Sequence, residues 1–419
     1  MAKYTFETQE MDDAIVITGV KIDAGVTELV IPSKIGKKLV VSIEKGAFER
    51  CSSLTSVVIS EGVSEIGAYA FKDCTALSSV VILGSVTRIG PWAFYRCSHL
   101  RSVTLSEGMT KIEDRAFADC TNLTSVTIPS SVTSIGEYAF SCCSSLTSVT
   151  IPDGVKRIEE CAFADCSSLS SVEIPKSMTE IEVEAFSNCS SLTSVMIPEG
   201  VKKIGIGAFW GCSSLTSFVV ANKNPNYMVK NGLLCSKRGG KLIACPGDLP
   251  SVVIPEGVKK IGIGAFDGCT RLTSVTISEG VKKIEDGAFN GCTSLTFVTI
   301  PDGVAQIGNF AFKGCTSLTS MVIPKSVKKI GFFAFDGCTR LTTVTISEGV
   351  KKIAFCAFRG CSSLTIVTIP ESVTEIEGST FGGCTSLTSV TIPKGSKIAR
   401  GAFPKGVKRL RRSKSRPRS

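Results

Sequence analysis

Histidine is almost missing from this 419-residue chain: His99 is the only one, beside two tryptophans, five tyrosines and seven methionines. One imidazole cannot build a multi-histidine metal site, and no Cys/His cluster with metal spacing stands in for it. A glycine-rich phosphate loop is also absent. These absences argue against an enzyme and predict no cofactor, no metal and no small-molecule substrate. His99 reads instead as a variant of the serine that fills its slot elsewhere. No apolar run approaches the roughly 18 residues of a membrane span, because Ser, Thr, Gly and Lys interrupt every stretch. The start, MAKYTFETQEMDDAIVITGV, lacks the basic and then apolar regions of a secretory signal, so the expected compartment is the cytoplasm.

What the chain does have is a beat. Phenylalanine recurs every 23 residues, at Phe48, Phe71, Phe94, Phe117, Phe140, Phe163, Phe186 and Phe209. The beat resumes at Phe266, Phe289, Phe312, Phe335, Phe358 and Phe381, and closes one residue early at Phe403. A period in the twenties, with aliphatics at L-x-x-V-x-I, predicts a solenoid of short parallel strands in which each coil buries its apolar edge against its neighbours. In Leu123–Ile128 the Leu, Val and Ile point inward, and Pro129 ends the pairing because it has no ladder donor. A short helical turn is expected at each Ala-Phe, making the fold an α/β repeat.

Nineteen cysteines suggest disulfides until their spacing is examined. Fourteen stand three residues after a repeat phenylalanine, from Cys51 to Cys384, which marks a packing slot for a small buried hydrophobe. An odd total leaves at least one free thiol in a monomer.

The chain divides into a β-rich cap at 1–46, repeats at 47–217, a β-hairpin insert at 218–250, repeats at 251–404 and a basic tail at 405–419 that reads as disordered. The hairpin is placed on Gly232–Cys235 and Lys241–Cys245, around Gly239-Gly240. No cap comparable to the N-terminal one is visible beyond Phe403.

The A-F-x-x-C-x-S-L-T-S-V-x-I-P motif, with the N-P-N-Y…G-L-L-C…K-L-I-A-C-P insert, resembles the BspA-like leucine-rich repeats over nearly the whole chain. The resemblance implies a right-handed leucine-rich-repeat solenoid, a noncatalytic role in protein–protein binding, and cell-surface or secreted location as the alternative to cytoplasm. It transfers no catalytic residues.

Three surfaces are candidates for function. On the strand face the outward slots are mostly Ser and Thr, as in Ser125 and Thr127, Ser148 and Thr150, Ser274 and Thr276, and Ser389 and Thr391. This lattice is either a soluble β surface or, more remotely, a platform for glycan or ice; its exceptions Glu173, Met196, Phe297 and Ile366 are the candidate contacts for a protein partner. The second surface is an aromatic patch at Phe310, Phe332, Phe333 and Phe355, expected side by side on the convex turns, with Tyr69 and Trp92 repeating it on a smaller scale.

Charge marks the third. Residues 1–200 hold 16 basic and 25 acidic side chains, whereas residues 201–419 hold 31 and 12. In V-K-K-I the inward Val and Ile force two lysines outward, giving Lys259, Lys260, Lys282, Lys283, Lys328, Lys329, Lys351 and Lys352. With Arg409, Arg411 and Arg412 of the tail they are candidate ligands for nucleic acid or an anionic membrane.

Overall fold

The computed structural model describes residues 4–84 and 86–411. Two compact units are present: one runs to Cys212 and includes Val219–Pro225, the other takes Ser213–Phe218 and the chain from Asn226 onward.

In the first unit, Tyr4–Glu10 pairs antiparallel with Ala14–Ile22, which lies parallel to Lys38–Ile43. That strand leads to Glu65–Ile66 and Arg88–Ile89, so the N-terminal segment covers the open edge of the first ladder. Each later coil contributes one strand to each of two parallel ladders. Ser102–Thr104 pairs in register with Ser125–Thr127, and Lys111–Ile112 with Ser134–Ile135. In-register pairing follows from the constant repeat length: a slip by one residue would turn Val126 and Ile135 outward.

Between the ladders lies the core. Phe140 and Phe163 are fully buried and stack with ring centroids 5.4 Å apart and planes 8° from parallel. The series continues from Phe48 to Phe209 with neighbouring centroids 4.9 to 6.0 Å apart. Each phenylalanine therefore buries its faces on its own copies in adjacent coils, which makes one coil depend on the next.

The expected helical turns do not form; among the described residues there is no helix. The reason lies in the backbone on either side of each phenylalanine. Tyr138 and Cys142 flank Phe140 at φ of 55° and 60°, in the left-handed region that a right-handed helix cannot pass through. Alternate N–H groups bond across coils instead: Tyr138, Phe140 and Cys142 donate to the Glu160, Ala162 and Ala164 carbonyls at 2.8–2.9 Å. The repeat is built from strands and turns rather than strand and helix.

The second unit opens with a three-stranded antiparallel meander, Tyr227–Lys230, Leu233–Ser236 and Lys241–Ala244. The strand Tyr227–Lys230 adds to the two expected, joined through Asn231 and Gly232, both at positive φ as a tight hairpin turn requires. Lys241–Ala244 then pairs parallel with Lys260–Ile261 and starts a ladder that ends at Lys397–Ile398. The phenylalanine stack here runs from Phe266 to Phe403.

The tail departs from the reading of a wholly disordered segment. Lys408–Arg411 is a strand, parallel and in register with Ser389–Ile392. The register sets Arg409 opposite Val390, and its guanidinium lies 5.3 Å from the Phe403 ring, over the last member of the stack. The last coil thus carries one further strand on one of its two ladders. Arg412 and the rest of the tail lie outside the described residues.

Candidate functional site

The hydroxyl lattice splits into two populations. One is consumed by the fold: Thr124 Oγ1 donates to the Arg101 carbonyl at 3.1 Å, Ser170 Oγ to Thr147 at 3.1 Å and Thr193 Oγ1 to Ser170 at 3.3 Å. These hydroxyls step up the coils as rungs. The other population, Ser125, Thr127, Ser148 and Thr150 in the first unit and Ser274, Thr276, Ser389 and Thr391 in the second, occupies the outward strand slots.

On the same outward slots sit the residues that break the pattern. Phe297 and Ile366 are 57% and 58% exposed in the second unit, and Val253 and Val322 equal them at 58%. Phe297 lies opposite Ser274, and Ile366 lies between Thr343 and Ser389. On this ladder no charged side chain occupies an outward slot of Ser251–Val253, Ser274–Thr276, Phe297–Thr299, Ser320–Ile323, Thr343–Ile346, Ile366–Thr368 or Ser389–Ile392. In the first unit Glu173 is exposed opposite Thr150. Met196 lines a shallow hollow of about 580 Å³ with Ile174, Pro198 and Ala221.

The aromatic patch is assembled in part. Phe310 stacks on Phe333 at 5.3 Å, and Phe355 meets Phe333 edge-on at 5.7 Å. Phe332 stands in the neighbouring column beneath Lys329, whose ammonium is 4.8 Å from the ring centre. In the first unit the equivalent slot holds a column of alternating chemistry: Tyr69 stacks on Trp92, and the Arg115 guanidinium lies between Trp92 and Tyr138 at 4.7 and 4.1 Å. Arg115 was not singled out from the sequence, although it keeps the same spacing.

Not all the basic candidates are alike. Lys352 is held by Glu375 at 3.1 Å and Glu377 at 2.5 Å, and hydrogen bonding to Glu377 pushes its ammonium up. Burial raises the Glu377 carboxyl, but hydrogen bonds from Lys352 and the Phe355 N–H outweigh it and hold the group below the ordinary carboxylate value. Lys329 stands over Phe332, and Arg409 over Phe403. Lys259, Lys260, Lys282, Lys283, Lys328 and Lys351 are exposed and enter no ion pair among the described residues, where the second unit's bridges run from Lys241 to Arg359. Arg411 is described only as a backbone partner of Ile392. His99 is exposed, and its Nδ1 lies 2.6 Å from the Thr75 carbonyl.

Parallel ladders of short strands, a stacked phenylalanine core and a 23-residue coil define a leucine-rich-repeat solenoid. The family BspA type Leucine rich repeat region (6 copies) matches residues 24–146, 133–231, 244–324 and 282–408, and the chain belongs to it. A leucine rich cell surface protein from Faecalibacterium prausnitzii is 30% identical, with 96% of this chain and 95% of that one aligned at a TM-score of 0.66. A leucine-rich repeat protein from Bacteroides ovatus is 25% identical, covering 98% of each chain at 0.54. One from Eubacterium ventriosum is 24% identical over 94% and 90%, at 0.60, and shares the fold. No curated protein matches the chain.

Proposed function

We propose that this chain is a noncatalytic protein-interaction scaffold whose second unit receives a partner on the strand face around Phe297 and Ile366. The observation that carries the reading is the exposure of those two side chains, more than half, on strands of two successive sheets whose other outward residues, from Ser251 to Thr391, are Ser, Thr and Val. Exposed apolar groups among Ser, Thr and Val are costly to leave in water and contribute binding energy when covered. The Phe310, Phe333 and Phe355 cluster is a second contact area on the turn edge.

The relatives bear on location. The Faecalibacterium protein is described as a cell surface protein, and we place this chain at the cell surface as well. This replaces the cytoplasmic expectation drawn from the N-terminal residues. No helix among the described residues is long and apolar enough to cross a membrane. Antibody labelling of intact, unpermeabilised cells tests the location, and labelling only after permeabilisation would refute it.

The binding experiment compares wild type with Phe297→Ser/Ile366→Ser and with Phe310→Ser/Phe333→Ser by affinity capture and titration of the captured protein. Loss of binding by at least tenfold in the first variant, with an unchanged melting curve, supports the strand face. Loss confined to the second variant moves the contact to the turn edge. A partner bound equally by all three would remove both.

A further inference from the structure

We infer that the second unit carries a site for a linear polyanion: a lysine track, beginning in a hollow beside the meander, that takes an acidic polysaccharide. The track is independent of the strand-face reading.

Backbone register builds it. Lys241 lies opposite Lys260, and Lys260 opposite Lys283, in parallel in-register pairs. Their side chains therefore recur at the strand spacing of about 4.8 Å. A second column runs beside the first, where the Lys282 N–H donates to the Lys259 carbonyl at 2.8 Å. Like charges held opposite each other across a sheet repel. Such a ladder is costly unless anions neutralise it, and within the protein that neutralisation is incomplete.

Lys259, Lys260, Lys282 and Lys283 are exposed and form no ion pair among the described residues. Two carboxylates share a depression with Lys283; one is taken by Lys241 at the head of the ladder and the other by Asn309, outside it. Glu285 lies 3.2 Å from Lys241, and Asp286 accepts from the Asn309 backbone at 2.8 Å and its amide at 3.1 Å.

The track starts at a hollow of about 350 Å³ lined by Lys230, Lys237 and Lys259 together with Gly239, Gly240 and Glu256. Lys230 is positioned there by the Glu256 carbonyl at 2.8 Å. Three ammonium groups and a single carboxylate thus line an open recess from which the exposed lysines lead away along the ladder.

The chemistry of the track favours a glycan over the other polyanions. Nucleic-acid grooves combine positive charge with aromatic side chains that stack bases, and arginine forks suit phosphate geometry. The hollow is lined by neither aromatics nor arginine. A flat bilayer can meet the exposed lysines but cannot enter the recess. An acidic polysaccharide supplies carboxylate or sulfate groups on successive sugars of one narrow chain, which matches single point charges in a row and can place one residue in the hollow.

The test uses the full chain titrated at about 150 mM salt, where weak surface attraction is screened. Its probes are a size-defined sulfated heparin oligosaccharide, a polyuronate, a thymidine oligonucleotide of matched charge, and vesicles containing phosphatidylserine. The expected result is saturable binding of one or both glycans, tighter than the oligonucleotide and vesicles. Lys259→Gln/Lys260→Gln/Lys282→Gln/Lys283→Gln should weaken it at least tenfold and lower the logarithmic salt slope by about three. A control of equal charge change, Lys34→Gln/Lys37→Gln/Lys156→Gln/Lys176→Gln, should bind as wild type. Equal weakening by both variants, tighter binding of oligonucleotide or vesicles, or loss of binding on removal of residues 412–419 alone would each overturn the proposal.

Discussion

The Cys143 thiol donates to the Phe117 carbonyl of the preceding coil, with Sγ and O 3.2 Å apart. The same bond joins Cys74 to Phe48, Cys189 to Phe163 and Cys338 to Phe312 at 3.1–3.2 Å. The Phe117 carbonyl already accepts from the Cys120 N–H at 3.3 Å, so the thiol takes its second lone pair. Cysteine in this slot therefore fills volume and also ties one coil to the next. Cys143→Ala should cost about 1–2 kcal/mol, from one buried hydrogen bond and the lost sulfur packing, whereas Cys143→Ser should cost less because a donor remains. Chemical denaturation of the three proteins gives the order; alanine tolerated better than serine would mean that the thiol contributes bulk alone.

The buried thiols also set the alkaline limit of the fold. Burial pushes Cys97, Cys143 and Cys189 well above the ordinary thiol value, and Cys235 in the meander up to about 11. In the unfolded chain the same groups ionise near the usual value of about 8.5. With the folded value raised, the stabilisation is fully present below the unfolded value and is lost as pH rises towards the folded one. Each such thiol then removes up to about 1.4 kcal/mol per pH unit. The melting temperature under reducing conditions should hold from pH 7 to 8 and fall steeply between 9 and 10.5. A flat profile there would contradict the neutral, buried assignment. Iodoacetamide at pH 7.5 should modify few of the nineteen cysteines in the native protein, beginning with the partly exposed Cys51 and Cys142.

The phenylalanine stack makes a positional prediction. Phe140 is fully buried between Phe117 and Phe163, while Phe403 closes the stack against Phe381 and the Arg409 guanidinium. Phe140→Ala should cost about 3–5 kcal/mol and increase amide exchange in the coils on both sides. Phe403→Ala should cost less and loosen only the terminal coil. Hydrogen exchange resolves the two patterns, and uniform loosening from either substitution would contradict nearest-neighbour stacking.

Much of this architecture is legible in the spacing because Phe, Leu, Val and Ile can satisfy a 23-residue coil only by facing the same interior. The turn geometry was not legible, and the reason is chemical. The slot two residues after each phenylalanine holds Asp73, Arg96, Cys142 and Asn188 in the first unit, which share no side-chain property; they share a left-handed backbone, with φ between 57° and 60°. The signal lay in the second unit, where Gly268, Gly291, Gly314, Gly337, Gly360 and Gly383 fill that slot and only Lys405, after Phe403, departs from it. Asn231-Gly232 likewise announced the extra hairpin strand. The state of the lysines was less accessible still: Lys352 and Lys283 occupy the same repeat position, and only the carboxylates of the following coil make Lys352 a paired group.

Gly337 of that slot and Gly349 of the turn at 347–350 supply the final prediction, because they should fail for different reasons. Gly337 has φ of 73°, and a methyl group built on it would meet nothing nearer than Gly314 at 3.9 Å. Gly337→Ala should therefore cost only the left-handed backbone penalty, about 1–2 kcal/mol. Gly349 has φ of 124°, and the same methyl would lie 2.1 Å from the Lys325 carbonyl oxygen. That contact is with backbone, so the neighbouring coil has to shift, and Gly349→Ala should be destabilising beyond the Gly337 value and disturb the Lys325 coil. Asparagine tolerates left-handed φ better than alanine. Gly337→Asn should recover part of the loss, whereas Gly349→Asn should recover none. Paired denaturation curves test the distinction, and equal rescue by asparagine at both sites would show that conformation, rather than contact with Lys325, sets the cost at Gly349.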